Sequence, residues 1–365
     1  MMIRHVLEAR ASLNLGKAPG GTTAIVAEMI KSLPLSMVYL ILDTFRERYA
    51  NPNLNDTIES WNHILMIFIP KKSHCESFED FRGISLLDGF QKWYLKTLII
   101  MAKECSPTSI WSSAAIFGFE SGFSVEHLAG GIRLLLGKAR EWRNLSCWSD
   151  FILMAADVKQ AFDDLTPTVA SEGLRCRGVH PALTAAITRE NLGLRVTPSF
   201  PGVPAMEPID FDKSSRQGGV ETTMLWNSAM AAILSPLHVR WVRLGWGIHL
   251  DGRYEGEIHK ADPNLRFTHL IWADNIYLLC VGLEQARSMM TELTQALEAR
   301  GFRWKDNSLA FLSPRSGLDN IACQSTTQPC HTYIWKQSTE VEVLGMLINS
   351  AGTPPPPPPR CGPPP

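Results

Sequence analysis

Eight cysteines are scattered along the chain without a single C-x-x-C pair, and no histidine cluster stands at zinc-ligand spacing. That pattern indicates neither a zinc knuckle nor a disulfide framework, and a reducing compartment is the simpler expectation. Charge of one sign is also lacking. The net charge is −1 and the isoelectric point about 6.8, whereas strong nucleic-acid binders neutralise phosphates with clustered Lys and Arg. Any basic surface would have to be focused locally in a cleft. No apolar run reaches the length of a spanning helix, and the first residues, MMIRHVLEAR, carry charge without an apolar core. The expectation is a soluble, unsecreted protein with no membrane contact, nuclear or cytoplasmic. A Walker phosphate loop is absent too: Gly16, Gly20 and Gly21 with Pro19 mark a loop before a helix, but Lys17 precedes its glycines. By pattern alone this is an ordinary loop. What remains is a chain of 365 residues, 45% hydrophobic and 19% charged, long enough to bury one large core or two lobes.

The stretch Phe151 to Asp163, FILMAADVKQAFD, runs six apolar residues into Asp157. Periodicity alone does not separate a buried strand from a buried helix here. The residues after it favour the strand, because Thr166 and Pro167 supply an N-cap and a first helical position. Asp157 then stands at the sheet's edge, where it either ligates a hard cation, acts as a base, or simply ends the strand. Between Phe267 and Val281, two apolar runs flank Ala273, Asp274 and Asn275. Asn and Asp tolerate turn conformations, so this reads as a β-hairpin with Asp274 at its tip. A carboxylate held between buried strands is costly unless paired, hydrogen-bonded or metal-bound. Asp157 and Asp274 on neighbouring strands would make a Mg²⁺ site, since that ion takes one or two protein carboxylates and fills the rest with water and phosphates. Phosphoryl or nucleotidyl transfer by two metals is the chemistry such a site serves.

Other elements follow from apolar spacing. Helices are expected over Ile3 to Leu13, from about Ile25 to Ile30, and over Leu33 to Arg48, Gln91 to Cys105, Ser124 to Arg143, His180 to Asn191, Leu225 to Leu237 and Leu283 to Arg300, the last capped by Gly301. Trp61 to Pro70 reads as a strand ending in Lys71 and Lys72, and Thr197 to Asp212 as a loop or irregular hairpin. Residues 353–365, TPPPPPPRCGPPP, can form neither helix nor sheet and read as an exposed polyproline II tail.

In this order FILMAADVKQAFD, RQGGVETTMLWN (Arg216 to Asn227) and LIWADNIYLL resemble the palm motifs of the reverse transcriptase domain of non-LTR, LINE-type retrotransposons. Phe81 to Leu87, FRGISLL, and Phe117 to Ser124, FGFESGFS, resemble its fingers segments, and Val343-Leu344-Gly345 its primer-holding turn. The resemblance implies an α+β right-hand polymerase fold: fingers and palm, an antiparallel palm sheet backed by helices, and a thumb largely missing. It assigns residues 1–145 to the N-terminal and fingers region, 146–350 to the palm and 351–365 to a disordered tail. It implies Asp157 and Asp274 as catalytic carboxylates, with Asp157, Val158, Asp274 and Asn275 around Mg²⁺ or Mn²⁺. Phe162, Gln217, Gly218, Arg82 and Lys71 would meet the deoxynucleoside triphosphate, and Lys72, Arg216, Leu344 and Gly345 the RNA template and DNA primer. For Phe162 a core aromatic is an equal alternative, and for Lys71, Lys72 and Arg82 a solvated face.

The chain departs from the family pattern at several positions. Glu120 and Phe123 replace arginines, Asn275 replaces the second Asp of the hairpin, and Ser308 stands where a Lys is usual, with Lys305 nearby but out of register. These departures support a rival, a retroelement remnant that folds and binds nucleic acid or a protein without catalysis. A metal-dependent phosphoryl-transfer enzyme of unrelated fold is a third alternative.

Overall fold

The computed structural model of the chain describes residues 1–20, 23–51, 59–106, 115–120, 122–142, 144, 148, 150–200, 202–203, 206–211, 216–249 and 266–350. The expected polyproline tail lies outside the described residues. The chain divides into two compact units, each assembled from two stretches: residues 1–110 with 160–232, and residues 111–159 with 233–365.

The first unit carries a four-stranded sheet of β1 (His63–Pro70), β2 (Phe81–Leu86), β4 (Leu194–Ser199) and β5 (Ile209–Phe211), in the order β2-β1-β4-β5. Strand β1 is antiparallel to β2 but parallel to β4. It begins at His63, and Trp61 sits in the short helix Glu59–Asn62 before it, so the strand expected from Trp61 starts later. Helices Ile3–Ala11, Leu35–Ala50 and Gly89–Cys105 bury Val6, Phe45, Trp93 and Tyr94 together. The Phe45 ring meets Trp93 edge-on at 5.5 Å, and the Trp93 indole donates to the Val6 carbonyl at 2.8 Å. A buried Trp needs such an acceptor, or its N–H is lost to water without replacement.

Cap chemistry sets several helix starts. Asp88 accepts from the amides of Phe90 and Gln91 at the head of Gly89–Cys105. Thr166 accepts from the Val169 amide, with Pro167 opening the helix Pro167–Cys176, as its sequence leads one to expect. His180 and Pro181 do the same for Pro181–Arg189. The expected irregular hairpin after Thr197 is the antiparallel pair β4 and β5. The helix Thr222–Arg243 absorbs a proline, Pro236. No helix among the described residues is long and apolar enough to cross a membrane.

The second unit is built on β3 (Phe151–Lys159), buried from Phe151 through Ala156. Its sheet runs β12-β13-β11-β3-β9-β8, with β8 at His269–Trp272, β9 at Asn275–Val281, β11 at Ala310–Leu312, β12 at Ile321–Gln324 and β13 at Thr332–Gln337; β10 (Arg303–Trp304) also pairs with β3. Strand β3 is antiparallel to β9 and β11. The expected wholly antiparallel sheet is corrected at β13, which lies parallel to β11 because the hairpin with β12 reverses the chain once more. Two short pairs complete the unit: β6 (Ile248–His249) with β7 (Arg266–Phe267), and β14 (Glu340–Val343) with β15 (Met346–Asn349).

Both faces of β3 are covered, which explains its unbroken apolar run. Phe151, Leu153 and Ala155 share a core with Leu128, Ile132 and Leu136 of the helix Val125–Glu141 and with Val341, Val343 and Ile348 of the β14–β15 hairpin. Helix Leu283–Glu298 contacts β9 and β3, and its Met289 sulfur lies 3.6 Å from the Cys280 thiol. This helix ends at Glu298, with Gly301 following at φ +87°, a left-handed position that suits glycine.

Candidate active site

The hairpin of β8 and β9 turns in two residues, Ala273 and Asp274, since Trp272 and Asn275 are already paired. Ala273 takes φ +53°, a region that Cβ-bearing residues enter rarely and that recurs at functional sites. Its conformation is held from two sides. The Val158 amide donates to the Asp274 carbonyl at 2.9 Å, tying the tip to the end of β3. On the other side, Gly118 lies so close that a Cβ there would stand 2.5 Å from the Ala273 nitrogen. Residues 115–117 run beside β8, with Phe117 donating to Ile271 at 2.9 Å and Ile271 to Ala115 at 3.0 Å. The Phe117-Gly118-Phe119 segment is thus a backstop for the turn.

Asp157 is the register partner of Asn275 on β9. Asp157, Asp274 and Asn275 therefore gather at one end of the sheet, and the Asn275 amide nitrogen lies 3.4 Å from an Asp274 carboxylate oxygen. Burial pushes the Asp157 pKa above the usual carboxylate value; the charges of Asp274 and Glu342 push the same way, while Lys305 opposes them. A carboxylate with this balance is short of positive charge.

Lys305 answers part of that need. Pairing of β10 with the end of β3 brings it in, and the Lys305 amide donates to the Asp157 carbonyl at 2.9 Å. Its ammonium stands 3.4 Å from Asp157 Oδ2, with the lysine side chain 52% and the aspartate side chain 26% exposed. Ser308 Oγ accepts from the Asp157 amide at 2.9 Å and donates to the Lys305 carbonyl at 2.8 Å. The lysine that spacing left out of register faces the carboxylate, and the serine in the usual lysine's place fixes the backbone beneath it.

Two further groups were not legible in the sequence. Tyr277 pairs with Ala155 on β3, and its buried hydroxyl has no partner. Burial first, then the charges of Asp157, Asp274 and Glu342, raise the pKa of that phenol far above its ordinary value. Glu342, exposed on β14, reaches the same field. The β14–β15 hairpin turns through Leu344 and Gly345 at φ +54° and +83°, the tight two-residue geometry that matches strand twist.

Two carboxylates and an amide oxygen form a hard-oxygen donor set. Among the described residues no group of three or more His, Cys, Asp or Glu converges into a metal cage. The residues fit an ion that keeps open positions for water and phosphate, as Mg²⁺ does, better than a closed structural site.

The remaining expected site residues belong to the first unit. Arg82 is exposed on β2, opposite Ile69 of β1. The Ser85 amide donates to the Gln217 carbonyl at 2.8 Å, and Gly218, at φ +102°, sits where a Cβ would meet the Ser85 carbonyl at 2.9 Å. Arg82, Gln217 and Gly218 are thereby brought to one strand. Lys71 is exposed at the end of β1, and its charge opposes the burial that raises the Asp163 pKa. Lys72 pairs with Asp80 at 2.9 Å. That hydrogen bond, helped by the Glu76 amide, lowers Asp80 to about 2. Phe162, half-buried, lies 5.7 Å from the Trp226 ring. Arg216, expected at the template or primer, is fully buried instead. Its guanidinium donates twice to Glu221, at 2.7 and 3.1 Å, because an unpaired buried charge is far costlier than a paired one.

The family model described as reverse transcriptase (RNA-dependent DNA polymerase) matches residues 69–348, more than three quarters of the 365 residues. The matched span contains both hairpins, all of β3 and the Arg216 to Gly219 turn. No curated protein matches the chain.

Proposed function

Because the chain belongs to the reverse transcriptase (RNA-dependent DNA polymerase) family, we propose that it catalyses RNA-templated DNA synthesis in the manner of non-LTR retrotransposon enzymes. The observation that carries this reading is the meeting of Asp157 and Asp274 at one sheet end, with the Asp157 carboxylate short of positive charge. Asp157, Asp274 and Asn275, with the Val158 position, would hold the Mg²⁺ ions. Ions held there would supply Lewis-acid activation of a primer 3′-hydroxyl and positive charge for the departing pyrophosphate.

The chain's own groups do the rest. Asn275 keeps an oxygen ligand but gives up one negative charge, which weakens metal affinity without abolishing it. Lys305 holds a proton beside Asp157 and takes the acid role of the lysine that Ser308 replaces. The fingers role falls on the unit of residues 1–110 with 160–232 and the palm role on the unit that carries Asp157 and Asp274, in place of a single break at residue 145. Lys71 and Arg82 receive the triphosphate, Gln217 and Gly218 the nascent base pair, and Phe162 the sugar, where its ring disfavours a 2′-hydroxyl. Leu344 and Gly345 hold the primer end, and Lys72 contributes charge to the template path. Arg216 serves this reading as the internal brace of the Gln217–Gly218 turn.

Primer extension on an RNA template with Mg²⁺ or Mn²⁺ tests the proposal. Extension by the wild type, lost in Asp157→Ala and Asp274→Ala, is the expected result. A folded wild type that shifts primer and template in a gel but never extends them would replace it with the non-catalytic remnant.

A further inference from the structure

The loop around Lys17, which the proposed reaction leaves without a role, forms one wall of a cavity of about 280 Å³ in the first unit. Glycines make the enclosure possible. A Cβ on Gly20 would stand 2.1 Å from the Leu86 carbonyl carbon, and one on Gly89 would stand 2.4 Å from the Ile25 carbonyl oxygen. The loop therefore lies directly on β2 and on the helix Gly89–Cys105. The loop side falls outside the span matched by the family model, and the opposite side, Ile84 to Lys96 with Gly218 and Val220, falls inside it.

The lining has a marked chemical bias. Lys17, Lys92 and Lys96 line the cavity and no acidic residue does, in a chain with 35 basic and 36 acidic side chains. Burial lowers the pKa of Lys92 and, with the charges of Lys31 and Lys103 outside the cavity, of Lys96. Asp88 is the acid that acts on Lys92, but its carboxylate already accepts from the Phe90 and Gln91 amides and from the Thr23 hydroxyl. Lys96 donates to Ser12 and keeps further ammonium hydrogens. Ser85, 2% exposed, also lines the cavity, and its hydroxyl has no partner. A buried hydroxyl left unpaired is costly, and a ligand would satisfy it. Most of the remaining wall is apolar, from Ile30, Ile84 and Leu86 among others.

Three lysines and an unpaired hydroxyl in one lining suit a phosphate, and the apolar remainder of the wall suits a base. The volume stands at the lower edge of small-molecule sites, roughly 300 to 1,000 Å³, which limits the occupant to a single nucleotide unit. We propose that this cavity, which neither Asp157 nor Asp274 lines, binds a nucleoside phosphate. The nucleotide is either free or one unit of a strand.

The test uses the full chain in EDTA, which silences any metal route. Fluorescent methylanthraniloyl-ATP is titrated against wild type, Lys92→Gln, Lys92→Glu and the double variant Asp157→Asn/Asp274→Asn. Saturable binding is expected in wild type and unchanged in the double variant. It should weaken roughly tenfold in Lys92→Gln, as for loss of a charge-assisted hydrogen bond, and more in Lys92→Glu. Competition separates the sources: AMP displacing the probe as well as a short oligoadenylate identifies a free nucleotide, whereas a much tighter oligoadenylate identifies a strand. Photolabelling with 8-azido-ATP should mark peptides from 13–30 or 84–96. No saturation below about 1 mM, displacement by pyrophosphate as effective as by AMP, or loss of binding in the double variant but not in the Lys92 variants would each overturn the proposal. Primer extension reads the other centre independently, so either reading can fail without the other.

Discussion

Replacing Lys305 with alanine should tighten divalent-metal binding. Its ammonium lies 3.4 Å from Asp157 Oδ2, where two unit charges interact by about 1 kcal/mol at the dielectric of water and about 5 kcal/mol at an effective dielectric of 20. The lysine side chain is 52% exposed, so solvent screening brings the pair to about 1 kcal/mol. A divalent ion entering between Asp157 and Asp274 must displace that ammonium or endure its repulsion. Removing it should therefore strengthen Mn²⁺ binding about fivefold, the equivalent of 1 kcal/mol, whereas Lys305→Arg, which keeps the charge, should not. Titration of free Mn²⁺ by electron paramagnetic resonance reads this directly and needs no catalysis. Affinity equal to or weaker than wild type in a folded Lys305→Ala protein, with binding still lost in Asp157→Ala, would refute the reasoning.

Asp157→Asn should stabilise the fold while removing a metal ligand. Burial, with Asp274, raises the Asp157 pKa above 3.8 despite Lys305, so its ionised form costs stability at neutral pH, and that cost vanishes as the pH falls through the folded pKa toward the unfolded one. The melting temperature of the variant should exceed wild type at pH 7, with the gap closing in acid; a gap that persists in acid contradicts the assignment. Glu298 gives the opposite sign. Burial acts to raise its pKa, but bonds from Ser325, Thr326 and Tyr333 win and lower it below 4.5. The stability it contributes is present above the unfolded pKa and is lost as pH falls through the folded one. Glu298→Ala should cost about 3 kcal/mol, measured by urea unfolding at neutral pH, and an unchanged midpoint would show the network to be idle. Gly118→Ala places a Cβ 2.5 Å from the Ala273 nitrogen and should cost about 1 to 3 kcal/mol while lowering primer extension. Gly130→Ala, on a helix with nothing within 4 Å, should be neutral or stabilising by about 0.5 to 1 kcal/mol; equal effects at the two glycines would rule out the close approach.

Much of this molecule was determined locally and is legible in the chain itself. The apolar run into Asp157 is a buried strand, Thr166 and Pro167 start a helix, and Asp274 occupies a two-residue turn. Caps, turns and apolar periods act within a few residues, so spacing exposes them. Tertiary structure alone decided the rest. Pairing of β10 with β3 joins residues nearly 150 positions apart and sets Lys305 on Asp157. The parallel place of β13, the burial of Arg216 on Glu221 and the crowding of Tyr277 by three carboxylates likewise depend on which distant segments meet. Strand register and burial are settled by long-range packing, where a shift of one residue reverses every side chain, and no local pattern encodes that choice.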